Sequence, residues 1–190
     1  MGSSELSAFD INKEPEKMRE VYGANRFGQG CLLARRLIQG GVRFVEVEFG
    51  PWDMHQQIFT DIPDRAGLLD RSMSALLNDL KAQGLLATTL VVLATEFGRT
   101  PNINENAGRD HHHPGVFSCA LAGAGVRGGQ VYGASDEDGR SVAEDGVSIA
   151  DFNTTIAKAA GLDIKKEYFA PNGRPFKIGG GGTAIDKVLA

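Results

Sequence analysis

The chain is short of the residue types that usually announce a function. It has two cysteines, one tryptophan and four histidines in 190 residues. Cys31 and Cys119 lie in apolar stretches without CxxC spacing, so no thiolate metal site is indicated. Their expected role is that of buried hydrophobes, with a single disulfide as the lesser reading. Cationic surplus is also missing: 20 Lys and Arg stand against 24 Asp and Glu, a formal net charge of −4. Such a chain has no electrostatic footprint for nucleic acid. No apolar run approaches the roughly 18 residues of a membrane span. Met1-Gly-Ser-Ser is polar and does not read as a signal peptide. Gly123-Ala-Gly-Val-Arg-Gly-Gly lacks both the GxGxxG and the Walker context and reads as a turn.

What remains is an ordinary globular composition, 42% hydrophobic and 23% charged, with 25 glycines. It excludes a disordered chain and is long enough to bury a core without disulfides. A polar lead-in over residues 1–15 precedes an α/β domain over 16–178. A Gly-rich connector and terminal helix follow over 179–190, with Gly179 to Gly182 expected to be flexible.

Phe27 to Gln39 carries apolar residues at helical spacing and stops at Gly40-Gly41. Residues 42–48 alternate and are β-branched, which predicts a strand. Asp64 to Gln83 predicts a helix with Leu69, Met73, Leu76, Leu77 and Leu80 on one face. Residues 89–95 and 116–122 read as strands, the first apolar enough to be covered on both faces. Ser148 caps a helix through Ala160, and a last one is expected over 185–189.

Strands alternating with helices imply right-handed crossovers and a mostly parallel sheet between helical layers. In such sheets the working residues lie beyond the carboxyl ends of strands. Asp53 and His55 follow the first predicted strand and Glu96 the second, while Asp110 and His111 to His113 lie on the loop entering the third. Mixed carboxylate and imidazole donors suit zinc, manganese or iron better than calcium or magnesium. The bland alternatives are a solvated histidine loop, Asp53 as a turn former, and Glu96 paired with Arg99 or Arg109.

Several segments together resemble an uncharacterised bacterial sulfatase-like family. They include Phe27-Gly-Gln-Gly-Cys-Leu-Leu-Ala-Arg-Arg36, Gly41-Val-Arg-Phe-Val45, Trp52-Asp-Met-His55, Glu96-Phe-Gly-Arg-Thr-Pro101 and Gly108-Arg-Asp-His-His112. The resemblance runs from about residue 8 to about residue 176. The family is a domain of unknown function placed in the alkaline phosphatase superfamily. It implies a three-layer α/β/α fold, alkaline phosphatase-like, with a bimetallic hydrolase site at the strand ends. It also implies that this chain corresponds to the carboxyl-terminal part, without the amino-terminal portion, and that full-length relatives are exported.

Carried over residue by residue, the resemblance implies that Asp53 and His55 are metal ligands, with His111 or His112 as the downstream histidine ligand. Asp110 joins them as a ligand from its place beside that histidine. Glu96 takes the place of the Asp in the superfamily's Asp-His-Gly, but Phe97 replaces its histidine. No residue matches a nucleophile: neither cysteine has a formylglycine setting, and Thr95, Thr100 and Ser118 stand elsewhere. The reading is a partial metal-dependent hydrolase of sulfate or phosphate esters. Its metal is divalent, zinc first, with manganese, calcium or iron as alternatives. Its partner is a small anionic ester, met by Arg99 or Arg109. The rival reading is a non-catalytic structural or binding module that retains the fold. A redox iron site is a third reading, without facial-triad spacing.

Overall fold

The computed structural model describes residues 6–190. The chain divides into two units. The first comprises the described residues through Leu86 together with Asn102–Asp110, and the second comprises Ala87–Pro101 and His111–Ala190.

The first unit is helical: α1 (Glu16–Tyr22), α2 (Arg26–Gln39) and α3 (Ile58–Ala82). Asn25 starts α2 by accepting a hydrogen bond from Gly28 N at 2.9 Å, satisfying one of the orphan donors of the first turn. Helix α3 begins six residues before the predicted Asp64 and runs through Pro63. Its start is anchored because Ile58 is buried and its N–H donates to Ala107 O at 2.7 Å. The core joins Tyr22, Phe27, Cys31, Leu32 and Ala75, with Val47, Phe49, Leu69 and Leu76 packed on it. Burial without a partner raises the Cys31 thiol to about 11.

An ionic network threads this core. Arg35, 3% exposed, lies 2.7 Å from Glu14 Oε2, and its Nε lies 2.8 Å from Asp79 Oδ2. The Asp79 contact falls outside hydrogen-bond angles, so its attraction is Coulombic. Asp79 also accepts from Tyr22 Oη at 2.9 Å and Gln83 Nε2 at 2.6 Å. Burial and the Asp79 carboxylate push the Tyr22 phenol well up. Burial would raise Glu14 too, but hydrogen bonds from Arg35 and Arg36 outweigh it and hold the carboxyl low.

The second unit consists of two-stranded antiparallel ladders, one α-helix and short 3-10 turns. Strand β1 (Leu90–Leu93) pairs with β4 (Ala120–Gly123), and β2 (Gly98–Arg99) with β3 (His112–His113). Strand β5 (Ala134–Ser135) pairs with β6 (Val142–Glu144), and β7 (Glu167–Phe169) with β8 (Pro175–Lys177). Helix α4 (Ile149–Ala159) starts at a capping box of Ser148 and Asp151. Gly179 to Gly182 lies against α4: a Cβ at Gly182 would overlap the backbone of Ala150, and Thr183 N donates to Asp151 Oδ1 at 2.6 Å.

These ladders overturn the expected three-layer α/β/α fold with a mostly parallel, alkaline phosphatase-like sheet. Among the described residues every ladder has two strands and is antiparallel. The physical reason is the connection. A parallel pair needs a crossover, usually a helix, and no helix lies between β1 and β4. The chain instead returns through β2 and β3, so Leu90 meets Gly123 and Leu93 meets Ala120. Predicted strand 89–95 shortens to 90–93 and strand 116–122 to 120–123, while residues 42–48 join no ladder. Leu90 to Leu93 are only half-buried, so the apolar run marks a partly covered hairpin partner rather than a central strand.

Candidate functional site

In the first unit the loop carrying Asp53 and His55 is held between two buried side chains, Met54 and Ile58. Backbone bonds tie it to residues 106–109: Arg109 N donates to Met54 O at 3.0 Å and Gln57 N to Asn106 O at 3.0 Å. Gly108 is buried where the two segments meet, and a Cβ there would overlap the His55 backbone. Gln57 and Ala107 both take left-handed φ, 51° and 56°, uncommon for residues with a Cβ. Such strain persists only where the surroundings over-determine it.

This scaffold sets out a row of polar groups. Asp53 Oδ1 lies 2.9 Å from His55 Nε2, and Asp110 Oδ1 lies 3.4 Å from His55 Nδ1. The imidazole therefore has a carboxylate at each nitrogen. Asn104 organises the row: its Nδ2 donates to His55 O at 2.9 Å and to Asp110 Oδ1 at 2.6 Å. Its Oδ1 accepts from Asn106 N at 2.9 Å and Gly108 N at 2.8 Å. Asp53 and His55 are each 54% exposed and Asp110 is 45% exposed, so the row is open to solvent and its ion pairs add little stability. Arg109 follows Gly108, and its Nε is buried without a hydrogen-bond partner.

The second unit carries the other candidates. Glu96 is exposed at the entrance to β2. Arg99 stands opposite His112 in the β2–β3 pair, and Thr100 N donates to His111 O at 3.0 Å. His111 and His112 are exposed, and the His112 ring lies 4.2 Å from the Phe97 ring. His113 places Nε2 at 2.8 Å from Arg140 O, which ties one histidine of the run to a backbone carbonyl. Thr95 Oγ1 bonds Ser118 O at 3.5 Å.

Among the described residues no group of three or more His, Cys, Asp or Glu side chains is placed to hold a metal ion. The first unit thus brings together Asp53, His55 and Asp110 as a row rather than as a three-donor cage. Sequence reasoning missed Asn104 and the close approach at Gly108. Asn104 had one available signal, a turn-forming residue in a loop rich in its kind, which is weak.

No helix among the described residues is long and apolar enough to cross a membrane. No curated protein and no solved structure matches the chain. One family does, over residues 1–189, and the chain itself mixes helix and strand. On that match the chain belongs to the family described as protein of unknown function (DUF1501).

Proposed function

We propose that the Asp53–His55–Asp110 row is part of a divalent-cation site serving hydrolysis of phosphate or sulfate esters, and that this chain supplies only part of it. The observation that carries the reading is the placement of Asp53 Oδ1 at 2.9 Å from His55 Nε2. Two tetrahedral donors about 2.1 Å from one zinc ion lie about 3.4 Å apart, so the pair needs to open by only about half an ångström to share one ion. Asp110 fits a different role. At His55 Nδ1 it orients the ring and fixes its tautomer, as carboxylates behind metal-bound histidines do. Asn104 in turn holds Asp110. Two donors fall short of a tetrahedral set, in keeping with a partial site.

When bound, a zinc or related ion supplies Lewis-acid polarisation of an ester oxygen. The chain's own contribution would be to hold His55 Nε2 and Asp53 Oδ1 side by side, so that both could face one ion, and to offer Arg109 to an anionic oxygen. The resemblance of Glu96 to Pro101 and Gly108 to His112 to a sulfatase-like family supports the ester class. Phe97 favours the rival reading, a binding module without chemistry, because its ring packs at a tilt against His112 and carries no ligand atom.

Zinc titration followed by the imidazole proton resonances tests the proposal. We expect the His55 signals to shift and the shift to vanish in Asp53→Ala. Asp110→Asn should weaken binding about tenfold. Aryl phosphates and sulfates should turn over no faster than background. Unchanged zinc binding in both His55→Ala and Asp53→Ala refutes the site. Robust turnover abolished by His55→Ala refutes its being partial.

A further inference from the structure

Residues 43–49 have the pattern of a strand and lack a strand's partner. Val45, Val47 and Phe49 are half-buried and alternate with Phe44, Glu46 and Glu48, which are exposed. The inner set is fixed to α2: Phe49 stacks on Phe27 with ring centroids 4.4 Å apart, and Val47 packs on the core. The outer set touches nothing comparable, and Phe44 is 79% exposed. Among the described residues nothing hydrogen-bonds to a backbone N–H or C=O of residues 43–48. A segment anchored by one face, whose backbone groups make no hydrogen bond among the described residues, offers a template for another strand.

We propose that residues 43–49 are a β-augmentation site for an extended segment of another polypeptide that bears basic side chains at alternate positions. The charge pattern selects this occupant. On an added strand the outward side chains lie opposite Phe44, Glu46 and Glu48, and opposite charges across a ladder stabilise it while like charges oppose it. A second copy of this chain fits poorly. In every antiparallel register that matches outer face to outer face, Glu46 and Glu48 meet Glu46, Glu48, Phe44, Val42 or Gly50 of the other copy, never a cation. An in-register parallel pair sets each glutamate against its own copy. A strand with two bases and an apolar residue at alternate positions answers all three outward groups. The inference is independent of the cation site, since none of these residues belongs to the Asp53–His55–Asp110 row.

Amide hydrogen exchange of the full chain with two synthetic peptides tests it. The first is Thr-Val-Lys-Val-Lys-Val-Phe-Thr, and the second carries Glu in place of both Lys. At about 1 mM the lysine peptide should slow exchange within residues 43–49 at alternate amides, because one edge of a strand presents every second N–H. The glutamate peptide should bind at least about tenfold more weakly. The exposed double variant Glu46→Lys with Glu48→Lys should reverse that order, and its unaltered exchange elsewhere verifies its fold. Three results overturn the proposal: no slowing by the lysine peptide, equal slowing by both peptides, or a dimer that protects residues 43–49 without peptide.

Discussion

The two units bury different things. Among the described residues, nearly all the buried apolar side chains belong to the helical unit, from Tyr22 and Leu32 to Leu80, whereas the other unit contributes Ala157 and Leu189. The helical unit draws its core from α1, α2 and α3 and ties them with the Arg35 network. The second unit relies on turns, a capping box and close backbone approaches such as that of Gly182 to Ala150. The contrast separates two ways of specifying a structure: side-chain volume and charge in one unit, backbone conformation in the other.

Substitutions can break that comparison at different depths. Leu32 is fully buried in the core. Leu32→Ala should cost the helical unit about 3 kcal/mol, through lost transfer energy and a residual cavity. Exchange protection of α2 and α3 amides under denaturant measures it, and an unchanged profile would contradict the assigned core. Gly182→Ala attacks the other unit by adding a Cβ where α4 leaves no room. A cost of about 2 kcal/mol is expected, as overpacking of a tight contact usually brings, with protection lost along α4 and residues 178–185. Protection retained there would show that the glycine-rich segment yields easily. Tyr22→Phe removes the hydroxyl bonded to Asp79, and about 1 kcal/mol should be lost from the helical unit alone.

Acid sharpens the contrast most gently. The folded Glu14 carboxyl lies below its ordinary value of 4.5, held there by Arg35 and Arg36. A lowered folded value means that its contribution is full above about pH 5 and is lost as pH falls through 4.5 toward the folded value. Exchange measured from neutral to acid pH should therefore show α1–α3 loosening in that window. Glu14→Gln should flatten the dependence; an unaltered slope would remove Glu14 as its source.

The sequence was most legible where structure is local. Helix α2 was expected from Phe27 and begins at Arg26, and Ser148 caps α4 as expected. Strand pairing was not legible, because it depends on what the chain does between strands. The apolar run at 90–93 is compatible with either a central parallel strand or a hairpin partner, and the absence of a helix before Ala120 decides the matter. Residues 42–48 show the same limit: alternation gives the faces but not the neighbour. Within the candidate site Asp53, His55 and Asp110 could be picked out by type. The arrangement that makes Asp110 a partner of the Nδ1 side, and the support from Asn104 and Gly108, depend on two loops meeting far apart in sequence.

The burial of Cys31 gives the helical unit a built-in chemical clock. A thiol raised to about 11 holds almost no thiolate at neutral pH, and the thiolate is what alkylating reagents attack. Cys119 is only partly buried. Iodoacetamide should therefore mark Cys119 promptly, while Cys31 waits for the helices around it to part. The slow phase of labelling then times the opening of that core, and Leu32→Ala should shorten it while Gly182→Ala leaves it unchanged.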